Sequence, residues 1–503
     1  VEIELHNEEG LIHTFSGTTN DGFLRYEILA RETSQDGTLW MINNLYTVDV
    51  SVSLDGESTG KTHQFFGGAN YDKGSAAAWT WSGKIIKSVE IDSSTANGPT
   101  IENGDWFGGS VANIGDLNND GVNDIVVSAS GDDMDENGDD SSNNIRGAIH
   151  IMFMNTDGSV DSTVEINDST DNGPVLANND YWGAKGIANI GDLNNDGVDD
   201  LAVGGAGASY RGAMNIMFMN TDGSVDSTVE INESTANGPT LKNGDQFGGD
   251  IANIGDLNGD GVNDLAVGAH QDDMDENGDD SVATNRGAVH IMFMNTDGSV
   301  DSTVEINDST DNGPTLEDQD RFGKSVENIG DLDGDGINDL AVGTYQADCV
   351  DCTGVDSGAV YIMYMGTDGS VKSTVEINDS TANGPAIIAG DHFGASIANI
   401  GDLNNDGVNE IVVGARLDDD PNGSFAENGA IHIMHMNKDG SIDKTVGIAR
   451  ATENGPATLW QDYFGGAVAN IGDLDGNGVN DLVVGAHQDG VAVGAVHILF
   501  LDK

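Results

Sequence analysis

The stretch Gly115-Asp116-Leu117-Asn118-Asn119-Asp120-Gly121-Val122-Asn123-Asp124 runs directly into Ile125-Val126-Val127. Oxygen-bearing side chains at alternate positions turn inward when a glycine after the third lets the backbone fold back without a Cβ clash, and the loop then wraps a hard cation. The donors here are Asp116, Asn118, Asp120 and Asp124, with the backbone carbonyl of Val122 between them. Such a mixed oxygen sphere suits calcium better than magnesium, which is smaller and dehydrates reluctantly.

The pattern recurs five times, at intervals of 64 to 76 residues. The further sets are Asp192, Asn194, Asp196, Val198, Asp200; Asp256, Asn258, Asp260, Val262, Asp264; Asp331, Asp333, Asp335, Ile337, Asp339; Asp402, Asn404, Asp406, Val408, Glu410; and Asp473, Asp475, Asn477, Val479, Asp481. About six Ca2+ ions are expected. The alternative is a set of Asx-rich turns without metal, because Asp, Asn and Gly favour turns in any case.

An EF-hand begins alike but closes with a bidentate Glu at position twelve and enters a helix. Here position twelve is valine throughout (Val127, Val203, Val267, Val342, Val413, Val484), within β-branched runs that read as strands. The acid at position nine closes the loop instead.

The same elements surround each loop. In the third copy they are Phe247-Gly248-Gly249, Ile251-Ala252-Asn253-Ile254-Gly255, the acid loop, Leu265-Ala266-Val267-Gly268, a variable loop, Gly287 to Met294, Asp297-Gly298, and Thr303-Val304-Glu305-Ile306. That is four strands, with Asp-Gly as a hairpin signal between the last two. Glu305 alternating with Val304 and Ile306 marks a half-exposed outer edge, and the inner strands are apolar on both faces. The expected fold is all-β, a β-propeller of four-stranded antiparallel blades.

These residues resemble the FG-GAP (phenylalanine-glycine) repeat of integrin alpha-chain propellers and of many bacterial and archaeal surface proteins. The resemblance covers about residues 93–503 and rests on Phe107-Gly108, Phe247-Gly248, Phe322-Gly323, Phe393-Gly394 and Phe464-Gly465, with Trp182-Gly183 departing in the second repeat. It implies seven blades, with the calcium loops between first and second strands on one face. Integrin ligand binding needs a partner subunit and does not carry over.

The sixth repeat ends on its third strand, Ala495 to Phe500, so a fourth strand must come from elsewhere. Val1-Glu2-Ile3-Glu4-Leu5 matches Val304-Glu305-Ile306 and is expected to close the ring. Gly74 to Ser82 and Val89-Glu90-Ile91-Asp92 then belong to a divergent blade without a metal loop. The expectation is one seven-bladed propeller over 1–503: closing strand 1–5, divergent blade 6–92, six calcium repeats 93–503. Eight blades, or a separate N-terminal β module on a six-bladed ring, remain open. A donated edge strand could also be exchanged between molecules, making a filament.

With 86 Asp plus Glu against 19 Lys plus Arg, the formal charge is −67, which disfavours nucleic acid and anionic membrane as partners. No run approaches the ~20 apolar residues that span a bilayer. The chain begins with Val, which suggests a removed signal, and millimolar extracellular calcium suits loops of this kind. An extracellular or cell-surface location is expected. Cys349 and Cys352 read as a loop disulfide or as reduced thiols. Asp133 to Asp139 and Asp273 to Asp279 are further acidic loops that bind extra ions or are solvated charge runs.

His150, His290, His432 and His497 recur on the third strand, where Asn215 and Tyr361 stand in the other repeats; packing explains a residue duplicated round a ring better than catalysis. No zinc, nucleophile-elbow or phosphate-loop motif is present. The expected function is a calcium-stabilised adhesion, binding or structural surface module with a protein or glycan ligand, met at the variable loops 130–146, 205–211, 344–357 and 416–428. The alternatives are a self-assembling envelope or filament subunit, and a polysaccharide hydrolase, lyase or lectin.

Overall fold

A computed structural model describes residues 2–7, 10–16, 53–54, 57–58 and 84–502, apart from 133–144, 208–209, 274–284, 348–355, 419–427, 451, 457, 459–460 and 490–492. Two compact units divide the chain, Val1–Thr80 and Trp81–Lys503. In the first, Glu2–Asn7 pairs antiparallel with Gly10–Ser16, and Ser53–Leu54 with Glu57–Ser58. The Gly74 to Ser82 segment, the two cysteines and most of both extra acidic loops lie outside the described residues.

Six four-stranded antiparallel sheets make up the second unit. The third blade shows the plan: Phe247–Gly255, Asp264–Ala269, Ala288–Met294 and Val300–Ile306, each paired with the next. Its second and third strands are wholly buried, and its fourth is buried only at its ends. This matches the apolar and alternating patterns respectively, because inner strands are covered on both faces by neighbouring blades. Gly298 bends the outer hairpin at φ +78°, the left-handed conformation an Asp-Gly turn requires.

The ring has six blades, not seven, and the N-terminal strand does not close it. Lys84–Ile91 supplies the sixth blade's fourth strand, with Ile91 opposite Val496 and Val89 opposite Ile498. The residues after this strand fit the same role. Asp92 to Pro99 repeats the linker Asn167 to Pro174, which leads from one blade's outer edge to the next blade. Thr163 Oγ1 donates to the Asn97 carbonyl at 2.8 Å, as Thr303 does to Asn237 at 2.9 Å. Glu2–Asn7 is instead taken up by its own hairpin.

Six apolar clusters lie between adjacent blades, each centred on the aromatic residue of the Phe-Gly or Trp-Gly pair. One of them packs Phe107 and Val127 of the first blade against Val483, Val496 and Phe500 of the sixth, so the ring is closed. Trp182 is fully buried in the same inter-blade position as the five phenylalanines. The phenylalanines meet the third-strand aromatic edge-on, with ring centroids 5.5 Å apart for Phe247 and His290 and 5.9 Å for Phe322 and Tyr361. In the second blade Trp182 Nε1 donates to Asn215 Oδ1 at 3.0 Å. The two departures from the repeat, at 182 and 215, are thus one compensated exchange.

Candidate metal loops and the axial cavity

Each acid loop joins a first strand to a second, so all six loops stand on one face of the ring. The first aspartate organises each of them. Asp116 Oδ1 accepts from the Asp120 N–H and Oδ2 from the Gly121 N–H, both at 2.8 Å, and the same pairs recur at Asp192, Asp256, Asp331, Asp402 and Asp473. The position-five side chain accepts from the N–H of position seven, as Asp120 does from Val122 at 2.9 Å. Backbone donors thereby hold the side-chain oxygens in a cup.

Position nine is buried in every loop. Asp264 accepts from the Leu257 N–H at 3.0 Å and from the Met294 N–H at 3.1 Å, which ties the loop to the end of the third strand. Burial pushes the carboxyls of Asp124, Asp200, Asp264, Asp339 and Asp481 up to about 6. In the fifth loop the longer Glu410 bonds the Leu403 N–H at 2.5 Å and Asn404 Nδ2 at 2.9 Å. His435 Nδ1 stands 3.4 Å from Glu410, where other blades carry Phe153, Phe218, Phe293, Tyr364 or Phe500. Sequence reading misses this pair, although both departures fall in one repeat.

The donor set fits a hard divalent cation. Carboxylate oxygens of Asp331, Asp333 and Asp335, of Asp402, Asp406 and Glu410, and of Asp473, Asp475 and Asp481 lie within 4.8 Å of one another. In the fourth loop the Lys372 ammonium sits on Asp335, a cation where the acids call for one. In the first three loops the amides of Asn118, Asn194 and Asn258 donate to the position-five carboxylates at 2.9 Å.

The loops are also tied to their neighbours. At position eight, Asn123, Asn263, Asn338, Asn409 and Asn480 donate Nδ2–H to main-chain carbonyls of the preceding blade, at 2.9–3.2 Å. A parallel ladder runs nearer the axis, from Asn328 to the Asn253 carbonyl, Asn399 to Asn328, Asn470 to Asn399 and Asn113 to Asn470. Asp199 replaces the position-eight asparagine in the second blade and cannot donate; Asn189 turns to it instead, at 2.9 Å.

The first strands enclose a cavity of about 490 Å³ on the axis, lined by the asparagine ladder and by Lys185, Asp250, Lys324 and Glu327. Asp250 accepts from the Val326 N–H at 2.9 Å and Glu327 from the Asn399 N–H at 3.0 Å. Burial raises the Glu327 carboxyl to about 8, so it is protonated at neutral pH. Burial also drives the recurring third-strand histidines His150, His290 and His497 down to about 4, leaving them neutral. They pack as aromatic edges on Phe107, Phe247 and Phe464.

Residues 247–292, 322–363 and 393–434 match the FG-GAP repeat family. Integrin alpha-PS5 of Drosophila melanogaster is 32% identical over 165 residues, covering 33% of this chain and 15% of that protein. Integrin alpha pat-2 of Caenorhabditis briggsae is 41% identical over 100 residues, 20% of this chain and 8% of that protein. Human integrin alpha-11 is 36% identical over 166 residues, 33% of this chain and 12% of that protein. The chain therefore spans between 8% and 15% of the length of these relatives.

Proposed function

We propose that the ring, three of whose repeats match the FG-GAP family and part of which is similar to integrin alpha chains, is an extracellular, calcium-dependent binding or adhesion module without catalytic activity. The observation that carries this reading is the six oxygen cups on one face, five of them continuous with a hydrogen bond to the third strand of their own blade and five with one to a neighbouring blade. About six Ca2+ ions would be held by the residues named at positions one, three, five, seven and nine. Calcium supplies the charge that offsets the repulsion among their carboxylates. A cation that draws position nine inward also steadies the adjoining position-eight asparagine, and with it the seam between blades. The protein or glycan ligand would meet the opposite face, where the variable connections between second and third strands emerge.

Titration calorimetry and melting curves test this. Calcium is expected to bind at about six sites per chain, and chelation to lower the melting temperature and speed proteolysis at the acid loops. An unchanged melting temperature after elemental analysis confirms metal removal would refute the role of calcium.

Proton competition provides a second test. With the carboxyls of Asp124, Asp200, Asp264, Asp339 and Asp481 raised to about 6, a proton must leave each of these five before calcium binds below that pH. Apparent calcium affinity at these five loops is expected to be level above pH 7 and to fall below pH 6, by up to about tenfold per pH unit at each of them. Affinity that stays constant from pH 7.5 to 5 would contradict position nine as a ligand.

Strand exchange loses its motive, because Lys84–Ile91 already fills the edge of the sixth blade.

A further inference from the structure

The mouth of the axial cavity on the face away from the acid loops breaks the charge pattern of the chain. Against 86 acids there are only 19 lysines and arginines. Arg146, Arg211 and Arg286, at the outer connections, are each paired with an acid: Asp168, Glu233 and Asp308. Lys185 and Lys324 line the axial cavity, Arg321 and Arg416 lie close enough for their charge to act on Lys324, and none of the four forms an ion pair among the described residues.

Their positions derive from the blade plan. Lys185 and Lys324 come just before the first strands of the second and fourth blades, Ile187–Gly191 and Ser325–Gly330, and line the cavity. Arg321 precedes the Phe322-Gly323 pair, and Arg416 comes after the second strand of the fifth blade. Both guanidinium groups lie over the Tyr345 ring, at 5.6 and 5.3 Å from its centroid, and Arg321 Nη1 also donates to the Tyr345 hydroxyl at 2.5 Å. Arg416 Nη2 is 3.3 Å from His392 Nδ1. His270 and His487, at the ends of the third and sixth blades' second strands, feel the same cations and are held well below their ordinary pKa by burial and by that charge.

Hydrogen-bonding capacity is unbalanced there. Lys185 Nζ, Arg321 Nε and Arg416 Nε are buried without an acceptor, and so are the ring nitrogens His270 Nδ1 and His487 Nδ1. Asp250, the carboxylate that faces the group, has an oxygen engaged by the Val326 N–H and answers only part of the charge of Lys324. Burying cations without acceptors is costly, and an acceptor-only group is what would complete such a set.

We propose that the axial mouth is an oxyanion site, where Lys185, Lys324, Arg321 and Arg416 converge on a sulfate-class group, either free or as an ester on a glycan. The large negative charge of the chain does not forbid this. At physiological salt, exposed acids beyond about 8 Å are screened, whereas the buried cations act at short range. The two arginines fork toward the ligand and the two lysines supply compact charge from inside the cavity. The site is independent of the acid loops and of any calcium in them.

Titration calorimetry of the full chain in millimolar calcium, with sodium sulfate exchanged for sodium chloride at constant ionic strength, is the test. One saturable site per chain is expected, with a matching rise in melting temperature. A sulfated disaccharide in a second titration separates the sources: tighter binding than sulfate assigns the group to a glycan ester, and weaker binding assigns it to the free ion. The Lys185→Met, Lys324→Met double variant should bind sulfate at least about tenfold more weakly. It should melt in plain chloride no lower than the parent, since it sheds two buried amino groups whose charge burial disfavours and Asp250 answers only in part. Lys438→Met, an exposed lysine on the acid-loop face, should leave binding intact. Absence of saturable binding of either probe, or undiminished binding by a folded double variant, would overturn the proposal.

Discussion

A chain lacking residues 1–80 is expected to keep the melting temperature of the propeller within a few degrees, whereas one lacking residues 1–91 should fail to form a stable ring. The first deletion removes a separate compact unit, and none of its described strands pairs with a blade. The second strips the outer strand from the sixth blade, exposing the edge of Ala495–Asp502 and leaving holes where Ile85 and Ile91 are fully buried. Emptying a buried isoleucine site costs about 2–5 kcal/mol, and two such losses plus a row of unpaired backbone groups approach the ~5–15 kcal/mol that holds a typical domain together. The bare edge would also invite association. Melting curves and sedimentation of the two truncations decide the matter: collapse of the shorter deletion, or survival of the longer, would place the closing strand elsewhere.

The second large effect is expected at the seam between blades, from a change that adds a single methyl group. Gly212 holds φ +93°, and a Cβ there would lie 2.0 Å from the carbonyl oxygen of Phe247. The same close approach is met at Gly494, where the Phe107 carbonyl stands 2.0 Å from the would-be Cβ, so the device also secures the join between last and first blades. Gly212→Ala therefore combines a left-handed strain with a clash against backbone that cannot step aside. Phe247→Ala attacks the same seam by emptying it, at a cost of about 3–5 kcal/mol. The glycine variant should match or exceed that loss in denaturant unfolding. A loss under about 1 kcal/mol for Gly212→Ala would show that the blades slide freely over one another, contrary to the close packing seen.

Much of this architecture is legible in the sequence. Four strands per repeat, the buried third strand, the half-exposed Val-Glu-Ile edge and the acid loop between first and second strands all arise from local patterns, and the six sheets reproduce them. The blade number is misjudged because two segments, Val1-Glu2-Ile3 and Val89-Glu90-Ile91, carry the same edge pattern. A strand's own residues do not say which partner it takes. The discriminating signal lies downstream, since only the second segment continues into the linker ending Asn97-Gly98-Pro99, whose asparagine carbonyl is bonded by Thr163 of the next blade.

Strand order, turn chemistry and the oxygen-rich loops can be read from the chain alone because each depends on contacts within one repeat, which local spacing records. How many repeats close the circle, which strand completes the last and what meets at the centre depend on contacts between repeats, and these exist only in the folded ring. Lys185, Lys324, Arg321 and Arg416 stand in three different repeats and share no motif. They become neighbours because a closed ring brings the start of every first strand to a common axis, with the end of the paired second strand beside it, and charges far apart along a chain interact only after that closure.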